Sequence, residues 1–179
     1  MTNIFLCGDP EDATISKALI PALSLYGGVR YFAPEKTFER GVSTEFFLYE
    51  CKKVPQIFLP SGIILIKNSI RPQPPVQLHS GFFCVFETQN CHAVEMLKDC
   101  DATIITCGTG AKETISIAAL ERSSATLSLQ RNLVTMDQKT LEPHDFAVRF
   151  SQPRSPYQIL FVSAALLIAG IDSSNGYII

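Results

Sequence analysis

The stretch that decides the fold opens the chain. Asn3-Ile4-Phe5-Leu6-Cys7 is a short apolar run, and Gly8-Asp9-Pro10-Glu11-Asp12 stops it as a turn. Ile15, Ala18, Leu19, Ala22 and Leu23 then recur on one helical face. Asp12 or Thr14 suits the N-cap of that helix, and Pro21 inside the pattern predicts a kink or a break. Gly27-Gly28 ends it, and Val29-Arg30-Tyr31-Phe32-Ala33 reads as the next strand. A strand, a crossover helix and a strand imply parallel pairing with right-handed closure. The two strands are expected side by side in one sheet.

Working outward, Pro34 to Val42 reads as a polar connection and Thr44 to Cys51 as a strand. Gln56 to Leu59 reads as extended. Gly62-Ile63-Ile64-Leu65-Ile66-Lys67 is the continuous β-branched run of a central strand covered on both faces. Asn68 to Leu78 holds Pro72, Pro74 and Pro75 and reads as a surface loop. Phe82 to Phe86 is another buried strand. Asn90 caps a short helix to about Lys98, with Val94 and Leu97 expected inward. Ala102 to Cys107 is the following strand.

The last third changes character. Thr114–Leu120, Ala125–Gln130 and Phe146–Phe150 alternate as in an antiparallel meander, with Leu133–Met136 as a further strand. A helix from Lys112 to Arg122 is the competing reading of its first segment. Ser155 and Pro156 then start a helix that stops at Gly170. Its nearly unbroken apolar run, Ile159 to Ile168, implies burial on almost every side. The run to Ile171 is thirteen residues, short of the roughly twenty a membrane span needs. Tyr177-Ile178-Ile179 suits an edge strand or a contact with a second subunit. The expected fold is α/β: one domain over residues 1–179, with a Rossmann-like mixed sheet whose parallel N-terminal part is extended by antiparallel strands, and a buried C-terminal helix.

Composition narrows the function classes. Of the 179 residues, 46% are apolar and 18% charged, which argues against disorder. The net charge of −2 and the lack of a basic stripe exclude an ordinary nucleic-acid binder. The start of the chain carries no secretory signal, so a cytoplasmic protein with reduced cysteines is expected. No membrane partner is expected.

Two loops are candidate sites. The first, Gly8 to Thr14, lies where ligands collect in open α/β sheets and contributes Asp9 and Asp12. Counted from Gly8, a phosphate loop requires Gly, Lys and Ser/Thr where Ala13, Thr14 and Ile15 stand. The second is Gly108-Thr109-Gly110-Ala111-Lys112-Glu113-Thr114. Its Gly108 and Gly110 allow close backbone approach, Lys112 offers a point charge, and Thr109 and Thr114 offer hydroxyls. Cys84, Cys91, His92, Cys100 and Cys107 lack zinc-site spacing, and no metal ligand is assigned. Glu142, His144 and Asp145 form no recognised hydrolytic motif. No residue is assigned a catalytic role, and no cofactor is identified. The leading expectation is a non-catalytic α/β domain in protein–protein interaction or self-assembly, with a protein partner or a homo-oligomer. The alternative is a small-molecule enzyme or sensor binding a phosphorylated or carboxylated anion at Gly108–Thr114.

Overall fold

The first strand–helix–strand unit is present in the computed structural model, which describes residues 1–179. β1 (Thr2–Cys7) leads through α1 (Thr14–Leu23) to β2 (Gly28–Ala33). The two strands point the same way but do not touch, because β4 (Thr44–Cys51) lies between them and pairs with both in parallel. The alternation of β4 explains the insertion: Phe46 and Leu48 add to the core beneath α1, while Tyr49 and Cys51 pack against the opposite core. A crossover helix spans a one-strand gap as readily as none. α1 runs through Pro21, whose missing N–H leaves the Lys17 carbonyl without its helical donor. The helix ends at Leu23, four residues before Gly27.

The polar connection expected after Pro34 is instead β3 (Lys36–Arg40), folded back antiparallel on β2. Its exposed Lys36, Glu39 and Arg40 suit the outermost strand of a sheet, where charge discourages pairing with another chain. Residues 56–59 carry no regular element. β5 (Gly62–Ile66) is buried at every position and lies between β1 and β6 (Phe82–Glu87), as its unbroken apolar run implies. α2 (Cys91–Leu97) is capped by Asn90, whose side chain accepts from the Ala93 amide. Its inward residues are Ala93, Met96 and Leu97. Leu97 is inward as expected, but Val94 is 48% exposed, and Ala93 takes the inward position beside it.

β7 (Thr103–Gly108) and β8 (Ile115–Leu120) pair in parallel only at Cys107–Gly108 with Ile115–Ser116. The segment from Ile115 is therefore strand rather than helix. β9 (Ser124–Leu129) and β12 (His144–Arg149) continue the sheet antiparallel. β10 (Leu133–Val134) does not join it, pairing only with β11 (Thr140–Leu141) in a separate ribbon. After α3 (Pro156–Ile168), β13 (Tyr177–Ile178) adds the other edge, parallel to β12. The order β13-β12-β9-β8-β7-β6-β5-β1-β4-β2-β3 makes an eleven-stranded, mostly parallel sheet.

Helices cover both faces. α1 and α3 lie on the side of the larger cluster of 37 buried residues, and α2 with the proline loop covers the smaller cluster of 14. That asymmetry lets α3 be apolar all round, with every residue from Ile159 to Ile168 buried. Its start is a complete capping box: Ser155 Oγ accepts from the Gln158 amide, and the Gln158 side chain accepts from the Ser155 amide. Gly170 ends it at φ +82°. The tail is part of this core. Tyr177 is 1% exposed, and its hydroxyl donates to the Ile171 carbonyl. No helix is long and apolar enough to cross a membrane.

Candidate functional site

The carboxyl ends of β1, β4 and β5 meet at the Gly8–Thr14 loop, and the sheet builds its most polar interior there. Lys67, the residue after β5, is completely buried. Its ammonium donates to Glu50 Oε2 at 2.6 Å, to the Asp12 carbonyl at 2.7 Å and to the Asp9 carbonyl at 3.0 Å. Those three bonds use all three of its protons. Glu50, near the end of β4, also has a fully buried side chain, and its Oε1 accepts from the Tyr31 hydroxyl at 3.1 Å. Burial, then the Glu50 charge, pushes the Tyr31 hydroxyl up to about 12.

The loop is held from outside as well. Ser69 Oγ donates to Asp12 Oδ2 at 2.8 Å and accepts from the Asp9 amide at 3.1 Å. Asp12 Oδ1 accepts from the amide of Thr14, the first residue of α1. Partial burial would raise the Asp12 carboxyl, but bonds from Thr14 and Ser69 and the Lys67 charge outweigh it. They hold the group below its ordinary value. Gly8 makes the tight approach possible. Its φ is +151°, and a Cβ there would stand 2.7 Å from Lys67 Cβ and 2.9 Å from Ser69 Oγ.

This arrangement has the opposite polarity to a phosphate site. An anion-binding loop turns backbone amides inward and leaves the helix N-terminus free for the ligand. Here two carbonyls turn inward onto an ammonium, and the chain's own Asp12 carboxylate occupies the start of α1. Sequence reading picked out Asp9 and Asp12 but missed Glu50, Lys67, Tyr31 and Ser69. One signal was present: a lysine directly after five apolar strand residues must be paired if it stays inside.

Above the loop lies a crevice of about 500 Å³. Gly8, Asp9, Glu11 and Ser69 form one wall, with Glu35, Lys36, Lys52 and Arg71 around them. None of Lys36, Lys52 and Arg71 is in an ion pair. A second cavity, about 300 Å³, is lined by Asn68, Glu87, Gln89, Asn90, Cys91 and His92. No group of three or more His, Cys, Asp or Glu side chains is placed to hold a metal ion.

The Gly108–Thr114 loop borders neither cavity. β5 and β6 separate β7 from β1, so the two candidate loops stand about 14 Å apart at roughly 4.8 Å per strand. Thr114 is buried and bonded to Thr106 through both its hydroxyl and its amide. The side chains of Thr109 and Lys112 are exposed, and the Lys112 carbonyl accepts from Arg131. Space above Gly110 is open. Glu113 is 9% exposed. Its Oε1 accepts from Thr88 at 2.7 Å, while Oε2 has no partner. His144 bonds to the Glu142 carbonyl and to Ser173 Oγ, away from both loops.

No protein-family model matches the chain, and no curated protein matches it. Solved structures share its fold, a mixed α/β domain with a large, mostly parallel sheet and three helices. It is similar to a UDP-N-acetylmuramoyl-L-alanyl-D-glutamate–2,6-diaminopimelate ligase, with a TM-score of 0.55, 15% identity, and coverage of 98% of this chain and 45% of that one. It is also similar to a murein peptide ligase from Psychrobacter arcticus, with a TM-score of 0.52, 9% identity, and coverage of 97% of this chain and 45% of that one. The likeness is one of fold, and the chain spans under half the length of each ligase.

Proposed function

We propose that this chain is a non-catalytic domain on a murein-ligase-like α/β frame, acting through protein–protein contact. The observation that carries this reading is Lys67. Its ammonium fills the interior of the loop after β1, and Asp12 takes the anion position at α1. A nucleotide phosphate would have to displace a buried ion pair and face inward-turned carbonyls, at a cost of several kcal/mol (roughly 3–5).

Contact with a protein has its own support at the opposite rim. β4, β1 and β5 are neighbours, and large apolar side chains precede them: Val42, Met1 and Phe58, each at least 90% exposed. Exposed apolar groups gathered on one rim suit a partner's surface. Pairing of copies through sheet edges has less support, because β3 is charged and β13 is only two residues long.

The test combines calorimetry with magnesium–ATP and with inorganic phosphate, and sedimentation over a concentration series. The reading expects no heat of binding to either anion. It also expects any self-association to weaken in Phe58→Ser and Val42→Ser. Saturable ATP binding abolished by Asp12→Lys would overturn it.

A second reading keeps a small carboxylated or phosphorylated ligand at Gly108–Thr114. Its support is the open space above Gly110 and the exposed, unpaired ammonium of Lys112. Thermal stabilisation by such a ligand, lost in Lys112→Ala, is the result it requires.

A further inference from the structure

β1 and β4 end on cysteines that face one another. Cys7 and Cys51 are direct partners in the parallel register of the two strands, and both belong to the core beneath α2. Neighbouring strands stand about 4.8 Å apart, inside the 4.4–6.8 Å that a disulfide spans between Cα atoms. All six cysteines are free thiols. Cys7 is fully buried, whereas Cys51 is partly exposed and open to a reagent from solvent.

We propose that Cys7 and Cys51 are a redox modification site, converted by a low-molecular-weight disulfide such as oxidised glutathione into a disulfide joining β1 to β4. The Cys51 thiolate attacks oxidised glutathione, forming a protein–glutathione mixed disulfide and releasing one glutathione thiolate. The Cys7 sulfur then attacks Cys51 Sγ, giving the intrachain bond and a second glutathione. Two protein thiols are oxidised, one glutathione disulfide is reduced to two thiols, and the two protons go to the released glutathione and solvent.

The order of attack follows from the surroundings. The bond to Cys7 and the charge of Lys67 hold the Cys51 thiol below its ordinary value, against the opposing effects of burial and Glu50. The contact with Cys51, then burial, pushes Cys7 well up. Cys51 is therefore the entry point and Cys7 the resolving partner.

Three of the other four cysteines are placed so that they do not compete for this bond. Cys84 lies on β6, two strands from Cys7 with β5 between, or about 10 Å. Cys107 belongs to the opposite core. Cys91 is exposed on α2 and serves as an internal control for simple glutathionylation.

The full folded chain is treated with oxidised glutathione, quenched with an alkylating reagent, digested with trypsin and analysed by mass spectrometry. The expected product links the peptide 1–17, which holds Cys7, to the peptide 41–52, which holds Cys51. Reduction should reverse it, and Cys51→Ser should leave Cys7 as an unmodified thiol. The wild-type digest decides the matter even if that variant does not fold. Stable glutathionylation of Cys51 beside a free Cys7, or a link that forms only in denaturant, would overturn the proposal.

Discussion

Replacing Lys67 by methionine keeps most of the buried stem and removes the ammonium. Glu50 then retains only the Tyr31 hydroxyl inside a fully buried site, and the Asp9 and Asp12 carbonyls lose their donor. Removing one member of a buried ion pair costs about 3–5 kcal/mol, because the survivor stays desolvated and unpaired. With a urea slope of about 2 kcal/mol/M, the unfolding midpoint should fall by roughly 1.5–2.5 M. The chain has no tryptophan, so circular dichroism at 222 nm is the natural probe. Lys67→Met combined with Glu50→Leu should recover part of the loss, since no buried charge remains. Recovery should be incomplete, because two carbonyls still lack a donor at about 1–3 kcal/mol for each unmet group. A cost for Lys67→Met below about 1 kcal/mol, or a double variant as unstable as the sum of the singles, would refute the reading of this loop as locked by an internal cation.

Other consequences are as direct. The depressed Asp12 carboxyl stabilises the fold above its unfolded value near 3.8, and that contribution is lost as pH falls through the lower folded value. Acid titration below pH 4 should therefore destabilise the wild type more steeply than Asp12→Asn, and equal slopes would count against the assignment. Gly8→Ala puts a methyl group 2.7 Å from Lys67 Cβ at a strained φ, so a loss of at least about 1–3 kcal/mol is expected in the same urea assay. Ser155→Ala removes half of the α3 capping box and should cost about 1 kcal/mol. Met96→Ala should cost about 2–5 kcal/mol, while Val94→Ala on the outer face of α2 should change stability by less than about 0.5 kcal/mol. Deleting Tyr177–Ile179 strips a buried tyrosine from the core, so it will report on folding before it reports on assembly.

Where neighbouring residues settle the structure, the amino-acid order alone carried the answer. The β-branched run at 62–66 had to be a doubly covered strand, and the Ser-Pro start with a Gly stop had to frame α3, because period, cap and burial are written in adjacent side chains. The glycine turn after Cys7 was visible for the same reason. What the chain order could not carry is adjacency between distant segments. Glu50 and Lys67 are 17 residues apart, and although the apolar run before Lys67 hints that it needs a partner, nothing near it in the chain names Glu50 as that partner. Only the placing of β1 between β4 and β5 brings them together beneath Gly8. The same placing separates β1 from β2, sets Cys7 opposite Cys51 and keeps the two glycine loops apart. Strand order emerges from the packing of the whole sheet, where each strand lowers its free energy by finding a partner and covering two faces at once, and no local window of sequence contains that sum.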